Sequence, residues 1–136
     1  MNYLLDTNIC IYIIKKNPEK VIKKLESIVC SGIKNDIFLS SVTISELFYG
    51  IAKSIHQDKN RESIKGFLSP FQIVNFDTSS AQIFGEIRFD LEKKGTIIGP
   101  YDMQIASIAL ANDLTLVTNN VKEFKRIKHL KIENWV

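Results

Sequence analysis

Tyr3-Leu4-Leu5-Asp6-Thr7-Asn8-Ile9-Cys10-Ile11 opens the chain with three apolar residues, an acid, and then a helical pattern. A brief apolar run of this kind predicts a buried strand, which ends at Asp6. Ile9, Tyr12 and Ile13 then fall on one side of a short helix over residues 8–15.

The same alternation repeats downstream. Pro18 suits the first turn of a second helix reaching residue 29, which Ser31-Gly32 stops. Ile37-Phe38-Leu39-Ser40 reads as the second strand. From Thr43 onward, Ile44, Leu47, Phe48 and Ile51 have helical spacing, with Thr43 or Ser41 as the cap and Glu46 as a capping-box partner. A helix over 59–68 ends before Pro70. Residues 71–76 are strand-like, and Ser79 or Ser80 starts a long helix through Ile83, Phe84, Ile87 and Leu91, closed by Gly95. Gly99-Pro100 opens a helix to residue 111 that is apolar almost all round, so it should be buried. Residues 114–118 form a strand, 121–125 a helical turn, and 130–132 a last strand. Alternating strands and helices predict an α/β fold with a mostly parallel sheet covered on both faces. Ligands of such sheets bind beyond the carboxyl ends of the strands, where Asp6 and Thr118-Asn119-Asn120 both fall.

The 136 residues are 45% hydrophobic, enough for one domain over 1–136 with its own core. No apolar run reaches bilayer length, and Met1 leads directly into the first strand, so a secretory leader is not expected and a cytoplasmic location is. A formal charge of +3 permits a nucleic-acid partner without requiring one. Cys10 and Cys30 lack metal-ligand spacing and read as reduced thiols. His56 and His129 are isolated and read as surface or helix-end residues. Lys15-Lys16 and the lysines within 20–24 and 122–128 read as solvated faces, with RNA steering as the alternative. No Gly-rich phosphate loop, zinc motif or nucleophile elbow is present.

The acids carry more. Asp6 either faces the crevice as a cation ligand or caps the next helix, a task open to Thr7 or Asn8 as well. Asp102 stands in the first turn of a buried helix. The helix dipole is worth only about 0.3–1 kcal/mol to a carboxylate there. Burying that charge costs several times more unless it is paired or metal-bound, which tilts Asp102 toward a ligand role. Glu46 borders an apolar stripe and is either a cap partner or a third ligand. Asn119 and Asn120 suit a turn, and Glu123 is either a further acid or a solvated charge between Lys122 and Lys125. Carboxylates distant in sequence but gathered at one sheet edge suit Mg²⁺ or Mn²⁺, which take oxygen ligands, waters and a substrate phosphate.

Four segments hold these residues: 4–11 (LLDTNICI), 40–50 (SSVTISELFYG), 99–102 (GPYD) and 117–124 (VTNNVKEF). In order and spacing the chain resembles, over essentially its whole length, a PIN domain, and specifically the VapC-type toxins of bacterial toxin–antitoxin pairs. The resemblance implies a PIN-like three-layer α/β/α sandwich and a metal triad of Asp6, Glu46 and Asp102. The family's fourth acidic position aligns with Asn120, so a second cation depends on Glu123 reaching in. Thr7, Asn8, Thr118 and Asn119 would orient carboxylates and waters. The implied activity is a Mg²⁺- or Mn²⁺-dependent endoribonuclease that leaves a 5′-phosphate and a 3′-hydroxyl and blocks translation. Its substrate would be RNA, with tRNA and initiator tRNA in view, its inhibitor a cognate VapB-like antitoxin, and its form a homodimer. Two other readings stand beside it. Transfer of small phosphoesters by a nucleophilic aspartate needs a second aspartate where Asn8 stands, which counts against it. An inert PIN-like module holding RNA or protein is kept open by Asn120.

Overall fold

The computed structural model describes residues 1–32 and 36–136. Its elements run β1 (Asn2–Leu5), α1 (Thr7–Lys15), α2 (Glu19–Val29), β2 (Asp36–Ser40), α3 (Ser41–Ala52), α4 (Gln57–Leu68) and β3 (Gln72–Val74). They continue with α5 (Thr78–Lys93), α6 (Pro100–Ala111), β4 (Thr115–Val117), α7 (Val121–Phe124) and β5 (Ile132–Glu133). The strands form one sheet in the order β3-β2-β1-β4-β5, and every neighbouring pair is parallel. The chain builds outward from β1 to β3, then crosses back to lay β4 and β5 on the other side. That reversal opens a crevice past Leu5 and Val117, which are register partners.

Side chains alternate across a strand, and this divides the core in two. Tyr3, Leu5, Leu39 and Val117 pack with Ile9 and Cys10 of α1 and with Val21 and Ile28 of α2. Leu4 and Leu116 face the other way, against Ile87 and Leu91 of α5 and Met103, Ile105 and Ile108 of α6. The result is the helix–sheet–helix layering expected from the alternation of elements. A smaller cluster of Leu47, Ile51 and Ile64, with half-buried Ile11 and Ile14, joins α3, α4 and α1 beside the crevice. The all-round apolar helix is α6, with six of its residues from Met103 to Ala109 buried.

Several local expectations are corrected. Ser40 caps α3, its Oγ accepting the Thr43 N–H at 3.0 Å, so neither Ser41 nor Thr43 is the cap. With Ser41 as first helical residue, the capping-box position is Thr43, and Glu46 lies a turn too far along to fill it. Phe48, expected on the buried stripe, is 41% exposed, because α3 turns Val42, Thr43, Leu47 and Ile51 inward. Asp77 rather than Ser79 or Ser80 caps α5, accepting from the Ser80 N–H at 2.9 Å. Pro18 is the N-cap of α2 rather than part of its first turn, and α4 begins at Gln57, two residues early. Edge strand β3 is shorter than residues 71–76 because only Phe38, Leu39 and Ser40 of β2 pair with it. Strand β5 is shifted past 130–132 to meet Leu116 and Val117. Among the described residues no helix is long and apolar enough to cross a membrane.

Leu116 is fully buried at the centre of the sheet. Leu116→Ala is expected to lower unfolding stability by about 3 kcal/mol, read as a loss of unfolding free energy in a urea titration.

Candidate active site

The crevice is built around Asp6. Its N–H donates to the Val117 carbonyl at 2.9 Å, carrying the β1/β4 pairing one residue past the strand. The side chain is buried, at 4% exposure. Oδ1 accepts the Thr7 N–H at 2.7 Å and so caps α1, while Oδ2 accepts the Thr118 hydroxyl at 2.8 Å. Thr118 Oγ1 accepts the Asn120 N–H at 3.0 Å, which ties the turn after β4 to the same carboxylate. The two readings of Asp6 are thus compatible: one oxygen caps the helix while the residue lines the crevice.

Three other elements contribute. Glu46, half-buried on α3, accepts the Thr7 hydroxyl on Oε1 at 2.7 Å. Asp102 sits in the first turn of α6, where Gly99 is the N-cap and Pro100 the first helical residue. Asn120 precedes α7 and donates from Nδ2 to Glu123 Oε2 at 2.9 Å. Asp6, Thr7, Asn8, Glu46, Asp102 and Asn120 together line one pocket of about 740 Å³. Three predicted residues lie outside its wall. Thr118 is fully buried behind Asp6, and Glu123 is held by Asn120. Asn119 is exposed and donates to the Tyr12 hydroxyl at 2.9 Å.

Lys15, named above for RNA steering, also lines this pocket, together with Tyr49 and Lys53, for which the sequence reading suggested no such place. The signal was available: Tyr49 and Lys53 follow Glu46 by three and seven residues, one helical face. Lys53 Nζ lies 4.8 Å from the centroid of the Tyr49 ring. Of the reactive residue types elsewhere, Cys10 is buried and its thiol is pushed upward, by burial first and by Asp6 second, which makes it a poor nucleophile. His56 and His129 are both exposed.

The electrostatics are those of a site short of positive charge. Burial, then Asp6, Glu123 and Glu46 in that order, push the Asp102 carboxyl up to about 6. Asp6 is raised as well, by burial first and by Glu46 last, against the lowering effect of its bonds from Thr118 and Thr7. Among the described residues, none of these four carboxylates pairs with a lysine or arginine. No three acidic, histidine or cysteine side chains among them close tightly enough to cage an ion unaided. Such closure is not required, because Mg²⁺ takes one or two carboxylates and completes its shell with waters and substrate phosphate. An all-oxygen donor set carrying uncompensated negative charge fits a hard divalent cation, and Asp6, Glu46 and Asp102 are the residues that could hold it.

A parallel sheet with acids gathered at its reversal point suits a phosphodiesterase that works with a divalent cation. Residues 3–130 match the family model of the PIN domain, and the chain belongs to that family. Within it, the chain is 46% identical over 135 residues to Ribonuclease VapC2 of Rickettsia felis, covering 99% of this chain and 98% of the relative. It is 39% identical over 138 residues to the tRNA(fMet)-specific endonuclease VapC of Salmonella typhimurium, covering 99% and 98%. Among solved structures, VapBC2 from Rickettsia felis bound to a DNA fragment from their promoter superposes with a TM-score of 0.91 at 45% identity, covering 100% of both chains.

The raised Asp102 carboxyl sets the sign of a pH effect. A folded-state pKa above the unfolded one means that the ionised form opposes folding. The penalty is full above about pH 6, fades as pH falls, and vanishes only below about 4, where the carboxyl is protonated in both states. A shift of this size corresponds to about 3 kcal/mol, which solvent screening of a half-exposed group reduces to about 1 kcal/mol. Metal-free Asp102→Asn is therefore expected to melt about 4 °C above the metal-free wild type near pH 8, with the gap closing in a melting series taken down to about pH 4.

Proposed function

We propose that this chain is the toxin of a VapBC-type pair, an endoribonuclease that hydrolyses RNA phosphodiesters using Mg²⁺ or Mn²⁺ held by Asp6, Asp102 and Glu46. The observation that carries the reading is the convergence of these three unneutralised acids in one pocket of a PIN domain. When bound, the cation supplies Lewis acidity to the scissile phosphate and lowers the pKa of water.

The chain's own residues prepare the rest. Thr7 and Thr118 hold the two oxygens of Asp6, and the Thr7 hydroxyl holds one oxygen of Glu46, so both carboxylates meet the substrate pre-oriented. Water attacking phosphorus in line forms the new P–O bond as the P–O3′ bond breaks. The products are a 5′-phosphate and a 3′-hydroxyl.

An acidic site alone repels RNA, and Lys15 and Lys53 answer this from the pocket wall. Among the described residues neither forms an ion pair. The substrate class we favour is tRNA, the specificity carried in the name of the Salmonella relative. The apolar end of the pocket, at Ile11, Ile14, Leu47, Ile51 and Ile64, suits an antitoxin segment with apolar side chains followed by a cation reaching toward the acids. The Rickettsia relative of known structure is VapBC2, bound to a DNA fragment from their promoter.

Asp6→Asn preserves a capping side chain while removing the charge. Both Asp6→Asn and Asp102→Asn are expected to lose at least about a hundredfold in RNA cleavage while melting as folded domains, assayed on protein purified free of other nucleases. Cleavage at the wild-type rate by either variant would refute the assignment, and an inert RNA-binding module would show no cleavage even in the wild type. Sequencing of RNA ends should find 5′-phosphates at the cut. Lys15→Ala/Lys53→Ala is expected to raise KM for RNA severalfold with little change in kcat, and to flatten the salt dependence of KM.

A further inference from the structure

Behind Glu46 runs a chain of hydroxyls that starts at Ser40, the cap of α3, and continues well beyond what capping requires. Thr7 Oγ1 lies 2.7 Å from Glu46 Oε1 and 3.1 Å from Thr43 Oγ1. Ser40 Oγ lies 3.2 Å from Thr43 Oγ1 and accepts the Thr43 N–H at 3.0 Å. Ser40 and Thr43 are both fully buried.

The direction of every proton in this chain follows by elimination. Each hydroxyl has one proton and two lone pairs. A carboxylate only accepts, so Thr7 spends its proton on Glu46. Thr7 must then accept from Thr43, and Thr43, its own proton spent, must accept from Ser40. Ser40 is oriented in turn by the backbone of α3, through the Thr43 N–H. The series therefore reads Ser40 to Thr43 to Thr7 to Glu46, all hydroxyls pointing one way, and each bond polarises the next.

We infer that Thr43 and Ser40 are positioning residues for Glu46, acting through Thr7 as one polarised hydroxyl chain. Thr7 sits at the start of α1 and Glu46 in the middle of α3, and the chain fixes one against the other at the pocket wall. A half-buried glutamate has three rotatable bonds. Pinning one of its oxygens leaves the other free for a cation at a defined place. Among the described residues no hydrogen bond reaches Glu46 Oε2. The inference rests on Glu46 being a cation ligand, as set out under Proposed function.

The test is Mn²⁺ titration calorimetry together with steady-state RNA cleavage, on the purified full chain. Thr43→Val keeps the shape and removes the hydroxyl. It is expected to weaken Mn²⁺ binding about tenfold and to lower kcat with KM for RNA unchanged. Thr43→Ser should restore both, and Thr43→Ala serves in place of Val if the second methyl disturbs folding. The decisive comparison is Thr7→Val against Thr7→Val/Thr43→Val. If Thr43 acts through Thr7, the double variant binds Mn²⁺ no more weakly than Thr7→Val alone, whereas independent packing effects multiply. Wild-type Mn²⁺ affinity in Thr43→Val and Thr43→Ala, or multiplied losses in the double variant, would overturn the inference. Glu46→Gln separates its failure from that of the wider reading. An impaired Glu46→Gln beside an unimpaired Thr43→Val sinks the hydroxyl chain alone, and an unimpaired Glu46→Gln sinks both.

Discussion

One backbone hydrogen bond, from the Asp6 N–H to the Val117 carbonyl, sets the geometry on which the site depends. It carries the central strand pairing past the end of β1, so the first residue beyond the strand is still held as rigidly as the sheet. From that fixed point Asp6 reaches Thr118 with one oxygen and starts α1 with the other. The reversal of strand order beside it leaves no crossover to fill the space. A polar carboxylate thus stands at an opening that the topology itself creates.

Around that point the molecule accumulates like charge. Burial and three neighbouring acids raise Asp102 to about 6, and no lysine or arginine among the described residues neutralises the group by a direct pair. Folding tolerates this because the rest of the fold is conventionally stabilised. Two apolar layers close on the faces of the sheet, and α6 buries most of its length. Asn120 moderates the repulsion, offering an amide where a further carboxylate would have added charge, and its Nδ2 restrains Glu123. The arrangement is the familiar exchange of stability for a poised binding site.

How far the sequence foretold this depends on which signal carried each part. Tyr3-Leu4-Leu5 was readable as a buried first strand, while its central place and the split of Leu4 from Tyr3 and Leu5 between two faces came from the fold. The all-round apolar pattern from Met103 to Ala109 was readable as a buried helix. Asp6, Glu46 and Asp102 were readable as a set only because four segments agreed in order. What escaped was local hydrogen bonding. Ser40, Ser41 and Thr43 are chemically equivalent as caps on paper, and only the packing of α3 selects Ser40. The same choice decided that Glu46 bonds to Thr7, a residue 39 positions away, rather than to its own helix terminus. Asn119 and Asn120 are adjacent and identical in type, yet only Asn120 lines the pocket. A turn sends consecutive side chains apart, and composition cannot say which goes where.

The double employment of Asp6, half helix cap and half pocket wall, has an evolutionary consequence. Asparagine caps a helix about as well as aspartate, whereas aliphatic residues do not. A copy of this gene drifting free of selection for cleavage would therefore keep the start of α1 on accepting asparagine here, at the expense of the Thr118 hydroxyl's acceptor.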